Sequence, residues 1–328
     1  MTLLEPAVSV VIPCHDLRQW NDLVGAVHSV LAQSVVPAEI VVVVDHNPKM
    51  YARAVRELDG ITVLENRFSR GASGNRNTAA FHTTSPLIAL LDGDSRAHPG
   101  WLAQLIAPFA DPRVIGTGGA ISPVWQRRRP AWFPGEFLWA IGGSYTGMPT
   151  TVAPTRNVWS ASMAVRRDTF EAVGGFRDGF GKLGDRARPE DTDLCVRMAR
   201  ADGGRWMYVP GAVISHPVPA ERTTFGFFLA RCFSEGRGKV EMARLLGAQP
   251  SLDAERHYLR STVPRAVTGG LAATLRGRGG HHAAKAGAAL AGVLAAGMGG
   301  AVESIHLNRS GRSRTTTPPS PSATELTR

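Results

Sequence analysis

LIALLDGDSRAHPGWL, residues 87–102, decides the architecture. Five apolar residues, Leu87 to Leu91, run directly into Asp92-Gly93-Asp94, and beyond Pro99 a segment carries Trp101, Leu102, Leu105, Ile106 and Phe109 on one side. A short unbroken apolar run suits a strand buried on both faces, as in parallel sheets covered by helices. Pro99 is placed to open the next helix. Toward the N-terminus, VSVVIP from residue 8, IVVVVD at 40–45 and ITVLE at 61–65 repeat the strand signal. Between them Trp20, Leu23, Val24, Val27, Val30 and Leu31 recur near helical spacing, and Ser73 to His82 reads as another helix. The alternation predicts an α/β class with a doubly wound, mostly parallel sheet flanked by helices.

Toward the C-terminus, VIGTGGAI at 114–121 reads as a strand, after which the alternation stops. Residues 126–156 are rich in aromatics, Gly and Pro, and so long a loop in a compact domain is usually functional, so it reads as a substrate-facing insertion. NVWSASMAVRR at 157–167 leads as a strand into a short helix ended by Gly174 and Gly175. Pro189 starts a helix to about Ala201, RWMYVP follows as a strand, and Thr223 to Leu246 reads as a helix. The main domain is thus expected over 1–250. An Ala/Gly/Arg-rich helical extension should cover 251–306, and a disordered tail with its TTTPPSPS tract 307–328.

The 328 residues, 43% of them hydrophobic, are enough for one large domain with an appendage. Three scattered cysteines without CxxC spacing argue against structural zinc and a disulfide framework. With no basic leader before residue 13, they predict a cytoplasmic protein. Of the net charge of +10, +6 falls after residue 252; it could attract nucleic acid, anionic lipid or a phosphorylated substrate, and plain solubility is the preferred reading. Ala286 to Val302 is uncharged over 17 residues, short of the ~20 a membrane span wants. Peripheral helical packing is the preferred reading, with membrane-surface contact and a true span as alternatives.

Asp92 and Asp94 stand two positions apart at the C-terminal end of a strand, the edge where open α/β sheets bind ligands. Two hard oxygen ligands suit Mg2+ or Mn2+ carrying a substrate diphosphate, although a DGD turn is common in any fold. PEDTDL at 189–194 puts carboxylates in a first helical turn, as caps or as a general base. RGASGNRN at 70–77 offers backbone N–H groups to an anion, but neither a Walker loop nor GxGxxG is present. His216, ending VPGAVISH, is either structural or a metal ligand.

Taken in order, VSVVIPCHD, IVVVVDHN, RGASGNRNTA, LIALLDGDSRAHPGWL, VGGF, PEDTDLCVR and VPGAVISH resemble the family 2 glycosyltransferases of the GT-A fold across residues 7–220. The resemblance implies an inverting enzyme that moves a sugar from a nucleoside diphosphate donor to an acceptor hydroxyl in polysaccharide, cell-wall or lipid-linked glycan synthesis. It implies that Pro13, His15 and Asp16 line the nucleotide pocket, that Asp45 meets the base, and that Arg76 and Asn77 contact base or ribose. Asp92 and Gly93 would lie at the donor and Asp94 and His216 at a Mn2+ or Mg2+ ion. Asp191 would be the catalytic base, with Glu190 as the neighbouring alternative. The chain departs from the pattern at His15, Asp16, His46 and Gly93, where the family often has Tyr, Asn or Glu, Asp and a third Asp.

WFPGEFLWAIGGSYTGMP at 132–149 and ERTTFGFFLARCFSEGRGK at 221–239 resemble an archaeal and actinobacterial subgroup with members acting on polyprenyl-phosphate-linked glycans. Trp132, Phe137 and Trp139 would stack on sugar, rest on lipid or simply pack the insertion. The expected partners are a nucleotide sugar, a glycan or polyprenyl-linked acceptor and the inner membrane face, without nucleic acid. The rivals are a sugar-phosphate nucleotidyltransferase, whose Gly-rich signature CHDLRQW lacks, and a basic binding module using the C-terminal charge.

Overall fold

The computed structural model describes residues 7–183, 186–247, 258–277 and 279–314. Strands β1 (Val8–Cys14), β2 (Glu39–Val44), β3 (Thr62–Glu65) and β4 (Leu87–Leu91) pair in parallel in the order β3-β2-β1-β4. Next to β4 come β8 (Ser162–Arg166), β6 (Val114–Trp125) and β11 (Arg205–Val218), with β5 (Arg96–Ala97) and β7 (Ala153–Thr155) also on β11. β6 and β11 are parallel to each other, while β8, β5 and β7 run against their neighbours. A separate antiparallel pair joins β9 (Gly181–Leu183) to β10 (Arg186–Arg188).

Alternation along the central strands builds two cores. Val8, Val10 and Ile12 with Val42, Val44, Leu87 and Leu91 face one layer, containing α1 (Trp20–Leu31) and α4 (Trp101–Ile106). Val11, Val41, Val43, Ile88 and Leu90 face the other, which holds α3 (Ala72–Ala80), α5 (Arg167–Ala172) and α6 (Glu190–Asp202). Burial on both faces explains why these strands are continuous apolar runs.

Some boundaries differ from expectation. α2 (Pro48–Glu57) was not expected; it buries Met50 and Ala54, and Asn47 caps it by accepting from the Met50 N–H at 3.1 Å. Pro99 stands outside α4, which begins after Gly100 in the left-handed region at φ 76°. Of residues 157–167 only Ser162–Arg166 form strand. The insertion is not a bare loop, since Gly135–Ile141 form a 3-10 turn and β7 closes it.

The extension contains α8 (Val263–Leu275) and α9 (His281–Arg314), and it packs on α7 (Phe225–Leu246). Phe133 and Phe137 from the insertion, Phe228 and Cys232 from α7, and Ala288, Ala289 and Ala295 from α9 form one buried cluster. Tyr258 fastens it by donating to the Glu136 carbonyl at 2.9 Å. α9 also runs past the expected boundary at 306: its basic last turns suit a helix C-terminus, and the Thr-Pro tract lies beyond it. The tail beyond Arg314 lies outside the described residues.

Phe228 is fully buried, with its ring edge-on to Trp132, Phe133 and Phe137 at 5.4–5.6 Å. Phe228→Ala is expected to destabilise the protein by about 3–5 kcal/mol in denaturant titration, because the cavity cannot close among rings held by several elements.

Candidate active site

The C-terminal ends of β1, β2 and β4 meet the N-termini of α3 and α6. At the end of β4 the chain turns so closely past β1 that a Cβ on Gly93 would sit 2.5 Å from the Pro13 carbonyl oxygen. That approach accounts for glycine where the family often has a third Asp, and it makes Pro13 a backbone neighbour of the DGD turn.

Arg76 is the centre of the cluster. Its side chain is buried, Nη2 lies 2.7 Å from Asp92 Oδ1 and Nη1 3.8 Å from Glu190 Oε1. Burial alone would favour the neutral guanidine, but Asp92, Asp191 and Glu190 outweigh it and raise its pKa. Glu190 and Asp191 open α6 side by side. Burial, then Asp191, pushes the Glu190 carboxyl up to about 8 against the pull of Arg76. Burial raises Asp191 too, while Arg76 and hydrogen bonds from the Ser160 hydroxyl and backbone hold it down. Asp191 Oδ1 is buried without a hydrogen-bond partner. Asp193 serves the fold instead, fully buried between Arg177 and Arg197 at 3.0 and 2.7 Å, where it fixes the start of α6.

The other expected residues divide. Asp45 is buried and accepts from the Gly71 N–H at 2.9 Å and from Asn66 Nδ2 at 2.7 Å, so it shapes the loop ahead of α3. Asn77 donates to the Phe176 carbonyl at 2.7 Å and accepts from its N–H at 2.9 Å; with both ends of its amide engaged, it positions the backbone. Asp16 is clasped by Arg18, which lowers its carboxyl to about 2, and His15 is exposed with its carbonyl accepting from Asn47 Nδ2 at 3.0 Å. Sequence reasoning missed Ser160, which is buried and bears on Asp191; only its place just before β8 could have pointed to it.

Burial, then Asp92, raises the Asp94 pKa, while His216 and Arg222 lower it. His216 Nδ1 lies 3.0 Å from the Pro217 carbonyl, which can only accept, so Nδ1 is the donor of that bond. Among the described residues no three His, Cys, Asp or Glu side chains gather as a closed metal cage. One carboxylate and one imidazole fit a divalent cation whose remaining positions belong to substrate phosphate and water.

A cavity of about 530 Å³ lies between the insertion, α7 and α9, lined by Trp139, Tyr145, Trp159 and Tyr258 with Arg231 and Lys239. Asp92, Asp94, Glu190 and Asp191 do not line it, but its wall at Trp159 is the residue before Ser160. Glu235 bridges Arg231 and Lys239 at 3.3 and 3.2 Å.

The sequence profile described as glycosyl transferase family 2 matches residues 9–174, just over half of the chain. The chain belongs to glycosyl transferase family 2. The transferase is 31% identical over 261 residues to the glucosyl-dolichyl phosphate glucuronosyltransferase of Haloferax volcanii, covering 78% of this chain and 83% of that protein. It is 24% identical to glycosyltransferase AglE of the same organism, covering 74% and 76%. Among solved structures, the mannosyltransferase PcManGT of Pyrobaculum calidifontis in complex with GDP-Man and Mn2+ superposes with a TM-score of 0.52 at 20% identity, covering 97% of this chain and 82% of that one. GalNAc-T7 with UDP, GalNAc and Mn2+ gives 0.54 at 18% identity, covering 74% of this chain and only 52% of that one. These likenesses establish the GT-A fold, and family membership sets aside the nucleotidyltransferase and binding-module rivals.

The cluster makes stability depend on pH in a set direction. Glu190 binds its proton more tightly folded than unfolded, so its stabilising effect is complete below the unfolded value near 4.5 and is lost as pH rises toward about 8. The metal-free melting temperature should therefore fall between pH 5 and 8, and calorimetry on Glu190→Gln should show a flatter dependence.

Proposed function

We propose that this glycosyltransferase moves a sugar, with inversion, from a nucleoside diphosphate donor to a hydroxyl of a polyprenyl-linked glycan. The observation that carries the reading is the arrangement of Asp191: Ser160 and Arg76 act on its carboxylate, while Oδ1 has no partner of its own. A base that must take an acceptor proton needs a fixed carboxylate with one oxygen uncommitted. Glu190 stands beside it, facing Arg76, and is the alternative base. Arg76 holds Asp92, which faces the donor ribose together with the Pro13–Gly93 turn, His15, Asp16 and Asp45.

Asp94 and His216 would hold the divalent cation, Mn2+ or Mg2+, whose chemistry is Lewis-acid neutralisation of a departing diphosphate. PcManGT and GalNAc-T7, which share the fold, were solved with Mn2+ and a nucleotide or nucleotide sugar, which supports this reading. The aromatic cavity is the acceptor side in this account, since Trp139, Tyr145, Trp159 and Tyr258 offer faces for stacking on a pyranose. The glucosyl-dolichyl phosphate glucuronosyltransferase supports a lipid-linked acceptor and, with it, work at the cytoplasmic face of a membrane. Residues 1–250 then form the catalytic unit, and 251–306 the support of the acceptor side.

Two measurements test this. Donor hydrolysis by the purified protein should need Mn2+ or Mg2+, stop with EDTA and be lost in Asp94→Ala; engagement of no nucleotide sugar under any metal would overturn the donor site. Asp191→Asn should lower turnover by about 10²- to 10⁴-fold with little change in donor binding, whereas wild-type turnover in that variant would remove Asp191 as the base.

A further inference from the structure

We propose that α9 lies flat on an anionic membrane, with its outward face in the boundary between headgroups and acyl chains. From Ala284 to Ile305 every exposed position on α9 is apolar or glycine. Leu290, Leu294, Met298, Val302 and Ile305 are 50, 67, 58, 48 and 54% exposed and follow at steps of four, four, four and three, which makes one continuous stripe. Those 22 residues extend over roughly 33 Å.

The polarity of the helix is inverted relative to a surface helix in water. Its buried side carries Glu303, paired at 2.7 Å with Arg237 of α7, while the outward side carries no charge until its end. A helix that turns its carboxylate inward and its large aliphatic side chains outward is built for apolar surroundings. The flanking charges identify those surroundings. His281 and Lys285 precede the stripe, His306 and Arg309 follow it, and no acidic residue occurs from His281 to Val302. Basic groups at both ends of an apolar face complement anionic headgroups around an acyl boundary.

The packing of α9 selects the orientation. Its other face rests along α7, which carries Arg231, Glu235, Arg237, Lys239 and Glu241, and hydrocarbon would not tolerate these on a crossing path. Two-fold pairing of two copies through the stripe would set basic ends against basic ends, which disfavours a second copy as the occupant. The inference deepens the lipid-linked acceptor reading, although the stripe stands independently of it. Val293, Ala296 and Gly297 of α9 line the aromatic cavity, and Gly297 is also exposed, so docking would bring the cavity's edge to the lipid surface.

Flotation of the full chain with phosphatidylcholine vesicles, with and without about 30% phosphatidylglycerol, tests the proposal. The protein should float with the anionic vesicles, and Leu294→Glu/Met298→Glu should reduce the bound fraction about tenfold. Circular dichroism and donor hydrolysis should be unchanged in that variant, because neither side chain lines the cavity or the carboxylate cluster. Wild-type flotation of the double variant, or no flotation of the wild type, would overturn it. So would a vesicle-free dimer that the double substitution converts to monomer in sedimentation, since the stripe would then belong to a second copy. Flotation without donor hydrolysis in the wild type would leave the docking face standing and remove the enzymatic reading instead.

Discussion

A single buried cation, Arg76, joins three pieces of chain that are far apart in sequence. It reaches from α3 to Asp92 at the end of β4 and to Glu190 at the start of α6, with Asp191 in the same electrostatic neighbourhood. Each carboxylate buried alone would protonate, and the guanidinium buried alone would be costly, so the set persists only together. The second pinning point, Asp193 between Arg177 and Arg197, fixes α6 from behind. Together they place two acidic side chains at a sheet edge with little freedom to turn away, and catalysis by positioned groups requires that restriction.

The N-terminal half was legible because its strands are buried on both faces and its acids follow them directly. IVVVVD and LIALLDGD announce both the strand and its functional end, and the ordered motif set gave the family. What the sequence hid was mostly what depends on another element. Ser160 is one polar residue in a run of small and apolar ones, and only the fold brings it to Asp191. The polar atoms of Asn77 and Asp45 also meet Phe176, Asn66 and Gly71, contacts that no local pattern announces. α2 went unread although Pro48 in its first turn and Met50 and Ala54, one turn apart on its buried side, are helix signals.

The C-terminal extension read as helical, but what its glycines do depends on their neighbours in the fold. In the fold those small residues allow close approach: a Cβ on Gly292 would meet Phe228, Phe137 and Cys232 at 2.8–3.2 Å, and one on Gly299 would strike the Phe233 carbonyl oxygen. That composition is therefore the condition for α9 to sit on α7 and the insertion. Removing the extension would open the aromatic cluster as well as shorten the chain, so truncation cannot separate a binding tail from an intact transferase core.

The charge balance of the site constrains how substrates enter it. Asp92, Asp94, Glu190 and Asp191 share a small region with one buried arginine, and burial raises three of the four carboxyl groups. A diphosphate approaching this region alone would add negative charge to an already unfavourable cluster. Asp94 and His216, the proposed ligands, would leave a divalent cation bound alone with open positions. On the proposed reading each partner supplies what the other lacks, so donor and cation should bind with positive coupling. Because coupling between two ligands is reciprocal, the cation should raise donor affinity by the same factor as the donor raises cation affinity.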